Sequence, residues 1–102
     1  DELIVTPDLR TRKAAMEERA DAFIALPGGF GTLEEILEVL TLKQLRYHQK
    51  PLVFLNVDGI YNGLLAFFED LIAQNFINDT HRMLYRVSPT PEAALDFLET
   101  SF

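Results

Sequence analysis

Short, continuous apolar runs alternate along this chain with stretches whose apolar residues recur at helical spacing. Leu3-Ile4-Val5 reads as the end of a strand stopped by Thr6-Pro7, and Asp8 is placed to cap a helix running to about Glu18 or Ala20. Ala22 to Leu26 forms the next strand-like run, followed by Pro27-Gly28-Gly29-Phe30-Gly31-Thr32. From Leu33 to about Leu45, the positions Leu33, Ile36, Leu37, Leu40 and Leu45 make one helical stripe, which Val39 and Leu42 widen. A helix apolar on two sides is expected to touch more than its own sheet. Pro51 precedes a third strand, Leu52 to Leu55, which breaks at Asn56-Val57-Asp58-Gly59 into a helix from about Tyr61 to Gln74. A fourth short strand, Leu84 to Val87, leads through Ser88-Pro89-Thr90-Pro91 to a last helix, Glu92 to Leu98.

The order βαβαβαβα, with strands that are apolar throughout rather than alternating, predicts an α/β fold: a parallel sheet covered by helices on both faces. Ligands of such sheets bind beyond the carboxyl ends of the strands. Arg12, the loop from Gly28 to Thr32 and the turn from Asn56 to Gly59 all follow carboxyl ends, so they are expected along one edge.

Composition narrows what that edge binds. A net charge of -7 argues against a nucleic-acid partner, which needs a basic face to displace counterions. Arg10, Arg12, Lys13 and Arg19 nevertheless cluster, which suits one small anion better than a polymer. The absence of cysteine excludes a disulfide scaffold, a thiolate metal site and a cysteine nucleophile, and is compatible with a cytoplasmic protein. No apolar run approaches the roughly 18 residues of a membrane span. At 102 residues the chain is at most one domain, residues 1–102, and smaller than a usual complete nucleotide-binding α/β domain. It enters directly on a strand-like run at Asp1, so we expect part of a longer protein.

The glycine-rich handover from strand to helix is where backbone amides and a helix dipole can hold a phosphate. Gly28 and Gly29 allow positive φ and let the backbone approach a ligand, with Gly31 and Thr32 continuing that approach into the first turn. The loop lacks the lysine of a P-loop and the spacing of the dinucleotide fingerprint. Glu35, a helical turn beyond Thr32, would bring a carboxylate near the bound anion. A purely structural alternative is a capping box, with Thr32 and Glu35 satisfying each other's backbone amides. Glu34 is expected to face solvent. Arg12 and Lys13 sit in a first helical turn, where the dipole disfavours cations, so an anion is expected to compensate them. The alternative is pairing with Asp8 or Glu17. Ala15 and Met16 read as core, and His48 and His81 as surface or capping residues, with no metal site expected.

Arg12-Lys13-x-x-Met16 followed by Pro27-Gly28-Gly29-x-Gly31-Thr32-x-x-Glu35 resembles the paired signature of the Lonely Guy (LOG) family, the cytokinin riboside 5'-monophosphate phosphoribohydrolases, many of them long labelled possible lysine decarboxylases. The resemblance extends through Asn56-Val57-Asp58-Gly59-x-Tyr61-Asn62 and Ser88-Pro89-Thr90. It implies a Rossmann-like enzyme that hydrolyses the N-glycosidic bond of a nucleoside 5'-monophosphate, such as a cytokinin riboside monophosphate or AMP, to free base and ribose 5-phosphate, without a cofactor. It further implies Arg12 and Glu35 as the catalytic pair, with Lys13, Gly28, Gly29, Gly31 and Thr32 binding the substrate, in a homodimer or larger assembly. Many members carry Met-His-Glu before the Arg-Lys pair, where this chain has Leu9-Arg10-Thr11, which bears on the base pocket. The N-terminal half of the family's domain is absent from these residues, so the isolated 102 residues are expected to be the C-terminal half and inactive alone.

Two other readings compete. A nucleotide-binding carrier or sensor would use the same loop without turnover. Amino-acid decarboxylation would require Lys13, Lys43 or Lys50 to carry pyridoxal phosphate, and none has a recognisable setting for it.

Overall fold

The computed structural model describes residues 19–101. Three strands, β1 (Phe23–Ala25), β2 (Leu52–Leu55) and β3 (Arg86–Ser88), pair in parallel in the order β1-β2-β3. Three α-helices follow them in turn: α1 (Phe30–Gln44), α2 (Asn62–Ala73) and α3 (Pro91–Thr100). Within the described residues this is βαβαβα, the expected α/β architecture. The first predicted strand, Leu3 to Val5, and the helix after Asp8 lie outside the described residues.

β2 is the hub of the sheet, and all four of its residues are buried. Side chains alternate across a strand, so Leu52 and Phe54 enter one core while Val53 and Leu55 enter the other. The first core joins Ala25 of β1 with Ile36 and Val39 of α1, Tyr61, and Phe68 of α2. The second joins Val53 and Leu55 with Ala94 and Leu98 of α3. Helices therefore cover both faces, which explains why the strand sequence is uninterruptedly apolar. Phe54, fully buried, meets Tyr61, Phe68 and Tyr85 edge-on at ring-centroid distances of 5.3, 6.0 and 5.6 Å. Such pairs add about 0.5–1.5 kcal/mol each beyond area burial.

Several boundaries differ from the sequence pattern. α1 begins at Phe30, not Leu33, so Gly31 and Thr32 are helical residues of its first turn. Gly29 caps it in extended conformation without a side-chain hydrogen bond, and the Thr32–Glu35 capping box is not formed: Thr32 sits too far inside the helix to act as its cap. β3 is displaced to Arg86–Ser88 because the chain from Asp79 to Leu84 winds as a 3-10 segment. That segment packs against α1, with Leu37 and Leu40 of the helix facing Ile77 and Leu84 across a shared crevice. α1 thus touches more than its own sheet, while Leu45 near its end stays exposed.

α1 and α2 stop in the same way. Arg46 (φ 68°) and Asn75 (φ 65°) take the left-handed conformation, and the next amides, Tyr47 and Phe76, reach back to the carbonyls of Leu42 and Leu71 at 2.9 and 2.8 Å. Both histidines are local anchors. His48 Nε2 donates to the Val39 carbonyl at 3.0 Å while its Nδ1 accepts from the Lys50 amide at 3.1 Å, so the ring bridges the end of α1 and the approach to β2. His81 Nδ1 accepts from the Asn78 amide at 3.1 Å in a capping box at the start of the 3-10 segment.

Candidate functional site

The carboxyl ends of the three strands are tied together by hydrogen bonds that begin where the ladder stops. β1 and β2 pair as far as Ala25 and Phe54. One residue beyond, the carbonyl of Leu26 accepts a hydrogen bond of 2.5 Å from the hydroxyl of Tyr61, 35 positions along the chain. The amide of Tyr61 is in turn held by Asn56 Oδ1 at 2.7 Å, and Asn56 Nδ2 donates to Asn62 Oδ1 at 2.8 Å. The amide of Asn56 donates to the Ser88 carbonyl at 2.8 Å, reaching the end of β3. As the sequence pattern predicts, the glycine loop and the turn from Asn56 to Gly59 thus share one edge.

The turn after β2 needs its glycine. Asp58 (φ 53°) and Gly59 (φ 71°) are both left-handed, and a Cβ at Gly59 would come within 2.6 Å of Asn62 Nδ2. Asp58 is exposed, and the Asn62 side chain is engaged by Asn56.

In the loop after β1 the glycines serve by being small and do not use the positive φ that they allow. Gly59 is the only positive-φ glycine among the described residues. A Cβ on Gly28 would collide with the Thr32 side chain, hydroxyl first, so these two residues are packed against each other. Among the described residues there is open space beyond Gly29 and Gly31: apart from the adjoining backbone, no atom lies within 4 Å of where a Cβ would stand. The first intrahelical bond of α1 runs from the Leu33 amide to the Gly29 carbonyl at 3.2 Å. The amides of Phe30, Gly31 and Thr32 therefore have no acceptor within the helix. Its first turn carries no acidic residue, and amides aimed outward at the positive end of a helix dipole attract an anion.

Thr32 is half-buried in this first turn, and Glu35 lies one turn further along, exposed, as is Glu34. Among the described residues the Glu35 carboxylate has no ion-pair partner. Arg12 and Lys13, the remaining site residues expected from sequence, lie outside the described residues. The sequence pattern missed Tyr61 as an element of the site. Its only local signal is position, as the first large residue after an Asn-x-Asp-Gly turn at the ligand edge of the sheet. Tyr61 is buried, and removal from water holds its hydroxyl pKa above the usual tyrosine value, so it remains a donor.

Lys43 lies in the last turn of α1, roughly 20 Å along the helix axis from the glycine loop. Burial lowers its pKa, and it lines a crevice with Pro51, Leu52 and Arg86, away from the carboxyl edge. No group of three or more His, Cys, Asp or Glu side chains among the described residues is arranged to hold a metal ion.

Comparison with known proteins adds an independent line. Residues 1–98 match a family model described as possible lysine decarboxylase. The chain is 48% identical over 98 residues to a probable cytokinin riboside 5'-monophosphate phosphoribohydrolase of Oryza sativa subsp. japonica, an overlap of 96% of this chain and 39% of that protein. A second rice protein of the same name is 50% identical over 92 residues, covering 90% of this chain and 44% of its own length. A cytokinin riboside 5'-monophosphate phosphoribohydrolase of Arabidopsis thaliana is 48% identical over 98 residues, 96% of this chain and 46% of that protein. The chain spans less than half the length of these curated relatives.

Proposed function

The chain belongs to the possible lysine decarboxylase family, the Lonely Guy (LOG) group, and on that footing we propose that the complete protein is a nucleoside 5'-monophosphate phosphoribohydrolase. It cleaves the bond between C1' of the ribose and the base nitrogen, taking a cytokinin riboside monophosphate or AMP to free base and ribose 5-phosphate. The observation that carries this reading is the first turn of α1. It offers the amides of Phe30, Gly31 and Thr32 with clear space at Gly29 and Gly31, and an exposed carboxylate, Glu35, one turn beyond.

Cleavage of an N-glycosidic bond builds positive charge on the sugar, as in other glycoside hydrolysis. In our reading the open amides and the Thr32 hydroxyl hold the 5'-phosphate, with Lys13 adding charge, and fix the ribose relative to Glu35. The Glu35 carboxylate stabilises the cationic anomeric carbon and takes a proton from the attacking water. The water oxygen bonds to C1', the C1'–N electron pair leaves with the base, and the base gains a proton overall. Arg12, which stays protonated near neutral pH, orients Glu35 and hydrogen-bonds the departing base or the phosphate. No cofactor enters these steps.

The names of the relatives support the nucleotide as substrate. The position of Lys43, at the opposite end of α1 from the loop, does not support a lysine-borne cofactor at this edge. No helix among the described residues is long and apolar enough to cross a membrane. We propose a cytoplasmic homodimer as the working form.

The test is to incubate the complete protein with AMP and with isopentenyl-AMP and to assay ribose 5-phosphate and free base. Equimolar release of both products from either substrate is the expected result. Tight binding of the nucleotide without release would leave a carrier or sensor in place of an enzyme.

A further inference from the structure

The hydroxyl of Tyr61 does work that its ring does not need. The ring is buried against Phe54, 5.3 Å away and edge-on, and a phenylalanine would fill that place equally well. The hydroxyl instead spans from the turn after β2 to the carbonyl of Leu26 at 2.5 Å. That carbonyl stands one residue past the end of the β1–β2 ladder, so among the described residues β2 supplies no amide to it. The next residue, Pro27, has no amide of its own with which to tie the loop down. From Leu26 the chain runs directly into Gly28, which is packed against Thr32, and so into the first turn of α1. On its other side Tyr61 is fixed through its amide by Asn56, and Asn56 through its own amide by Ser88 of β3.

We infer that Tyr61 is a positioning residue for the phosphate-binding turn: its hydroxyl sets where the Leu26–Gly29 segment leaves the sheet, and thereby the placement of the amides at the start of α1. This inference rests on the functional reading above, since it assigns those amides to the substrate's phosphate. A segment whose carbonyl is held by a side-chain donor instead of by the β1–β2 ladder loosens when that donor is removed, and a loosened anion site binds less tightly because ordering must then accompany binding.

The experiment uses Tyr61→Phe in the complete protein, with Tyr85→Phe as control. Tyr85 packs on the same Phe54 and Phe68 rings but lies away from the glycine loop. Tyr61→Phe is expected to raise the Kd for ribose 5-phosphate and the KM for AMP by about 3- to 10-fold, the range for one net hydrogen bond, with kcat within about twofold. The amide resonances of Gly28, Gly29 and Gly31 should shift in the variant, and Tyr85→Phe should leave affinity and these resonances unchanged. Asn56→Ser, which keeps the tyrosine hydroxyl but weakens the hold on its amide, should move the same quantities in the same direction by less. Unmoved glycine amides together with wild-type affinity in Tyr61→Phe would overturn the inference, even if the melting temperature fell. If the wild-type protein releases no base, the phosphoribohydrolase reading fails, while the glycine resonances and phosphate affinity still decide the role of Tyr61.

Discussion

Helices α1 and α3 both start just beyond the carboxyl end of a strand, and they start differently. At α3, Thr90 accepts a hydrogen bond from the Ala93 amide at 3.1 Å, Pro91 fills the first position where an amide would be wasted, and Glu92 sets a negative charge in the first turn. That helix settles its own end. At α1 the cap is Gly29, which contributes no side-chain acceptor, the first turn carries no acid, and a neighbouring glycine keeps the approach clear. The α1 start gives up only the roughly few tenths of a kcal/mol by which a good capping side chain exceeds glycine and leaves its first-turn amides without an acceptor in the helix. On the proposed function, the contrast separates an end that serves the fold from an end that serves a ligand.

The largest effect should come from the carboxylates six positions past each cap. Glu35→Gln is expected to cut base release by about 10²- to 10⁴-fold, as for loss of a general catalyst, with the Kd for ribose 5-phosphate unchanged. Asp96→Asn, the corresponding exposed position of α3, should leave both untouched. Equal losses in the two variants would dissolve the distinction.

Gly29→Asp would convert the α1 start into one like that of α3. A carboxylate there can accept the first-turn amides and repel phosphate, so titration calorimetry should find ribose 5-phosphate bound at least about tenfold more weakly. The melting temperature should hold or rise slightly. The reciprocal change, Thr90→Ala, is expected to lower stability by about 1 kcal/mol in denaturant titration while phosphate affinity stays at wild type. If it weakens phosphate binding, the two ends are not independent.

The smallest effect concerns a pair remote from both caps. Arg82 donates to both carboxylate oxygens of Glu69, at 3.0 Å from Nε and 2.7 Å from Nη2. This hydrogen bonding, and secondarily the charge of the guanidinium, holds the Glu69 carboxyl below its usual pKa. A carboxylate whose folded pKa is depressed stabilises the fold above its unfolded value, about 4.3, and loses that contribution as pH falls through the lower folded value. The difference in melting temperature between wild type and Glu69→Gln should therefore be small near pH 7 and shrink further as pH falls below about 4.3 through the lower folded value. A difference that grows on acidification would reverse the assigned sign.

What the sequence revealed depended on how local the cause was. β2 was legible to the residue because Pro51 and Asn56 bracket an unbroken apolar run that only a doubly covered strand explains. The start of α3 was legible to within one residue, Pro91 against the expected Glu92, because Ser88-Pro89-Thr90-Pro91 is a compact break before an amphipathic run. The start of α1 was not, since Gly31 and Thr32 are weak helix formers and the usual rule places them in the loop. The 3-10 turn from Asp79 to Leu84 went unseen because such short turns leave no apolar period to count, and that displaced β3. The hydrogen bond between Tyr61 and Leu26 joins positions 35 residues apart and has no local signature at all. The meeting of Arg12 with Glu35 rests on the family motif, since Arg12 lies outside the described residues.

The contact between Gly28 and Thr32 limits how this loop can change. A methyl at the first position and the branched side chain at the second compete for one volume, so neither position samples substitutions freely while the other stays as it is. Five consecutive residues at the mouth of α1 thus offer fewer than five independent degrees of variation. Reshaping the loop would require paired changes, or would have to act at Gly29 and Gly31, where the described residues leave room to add atoms.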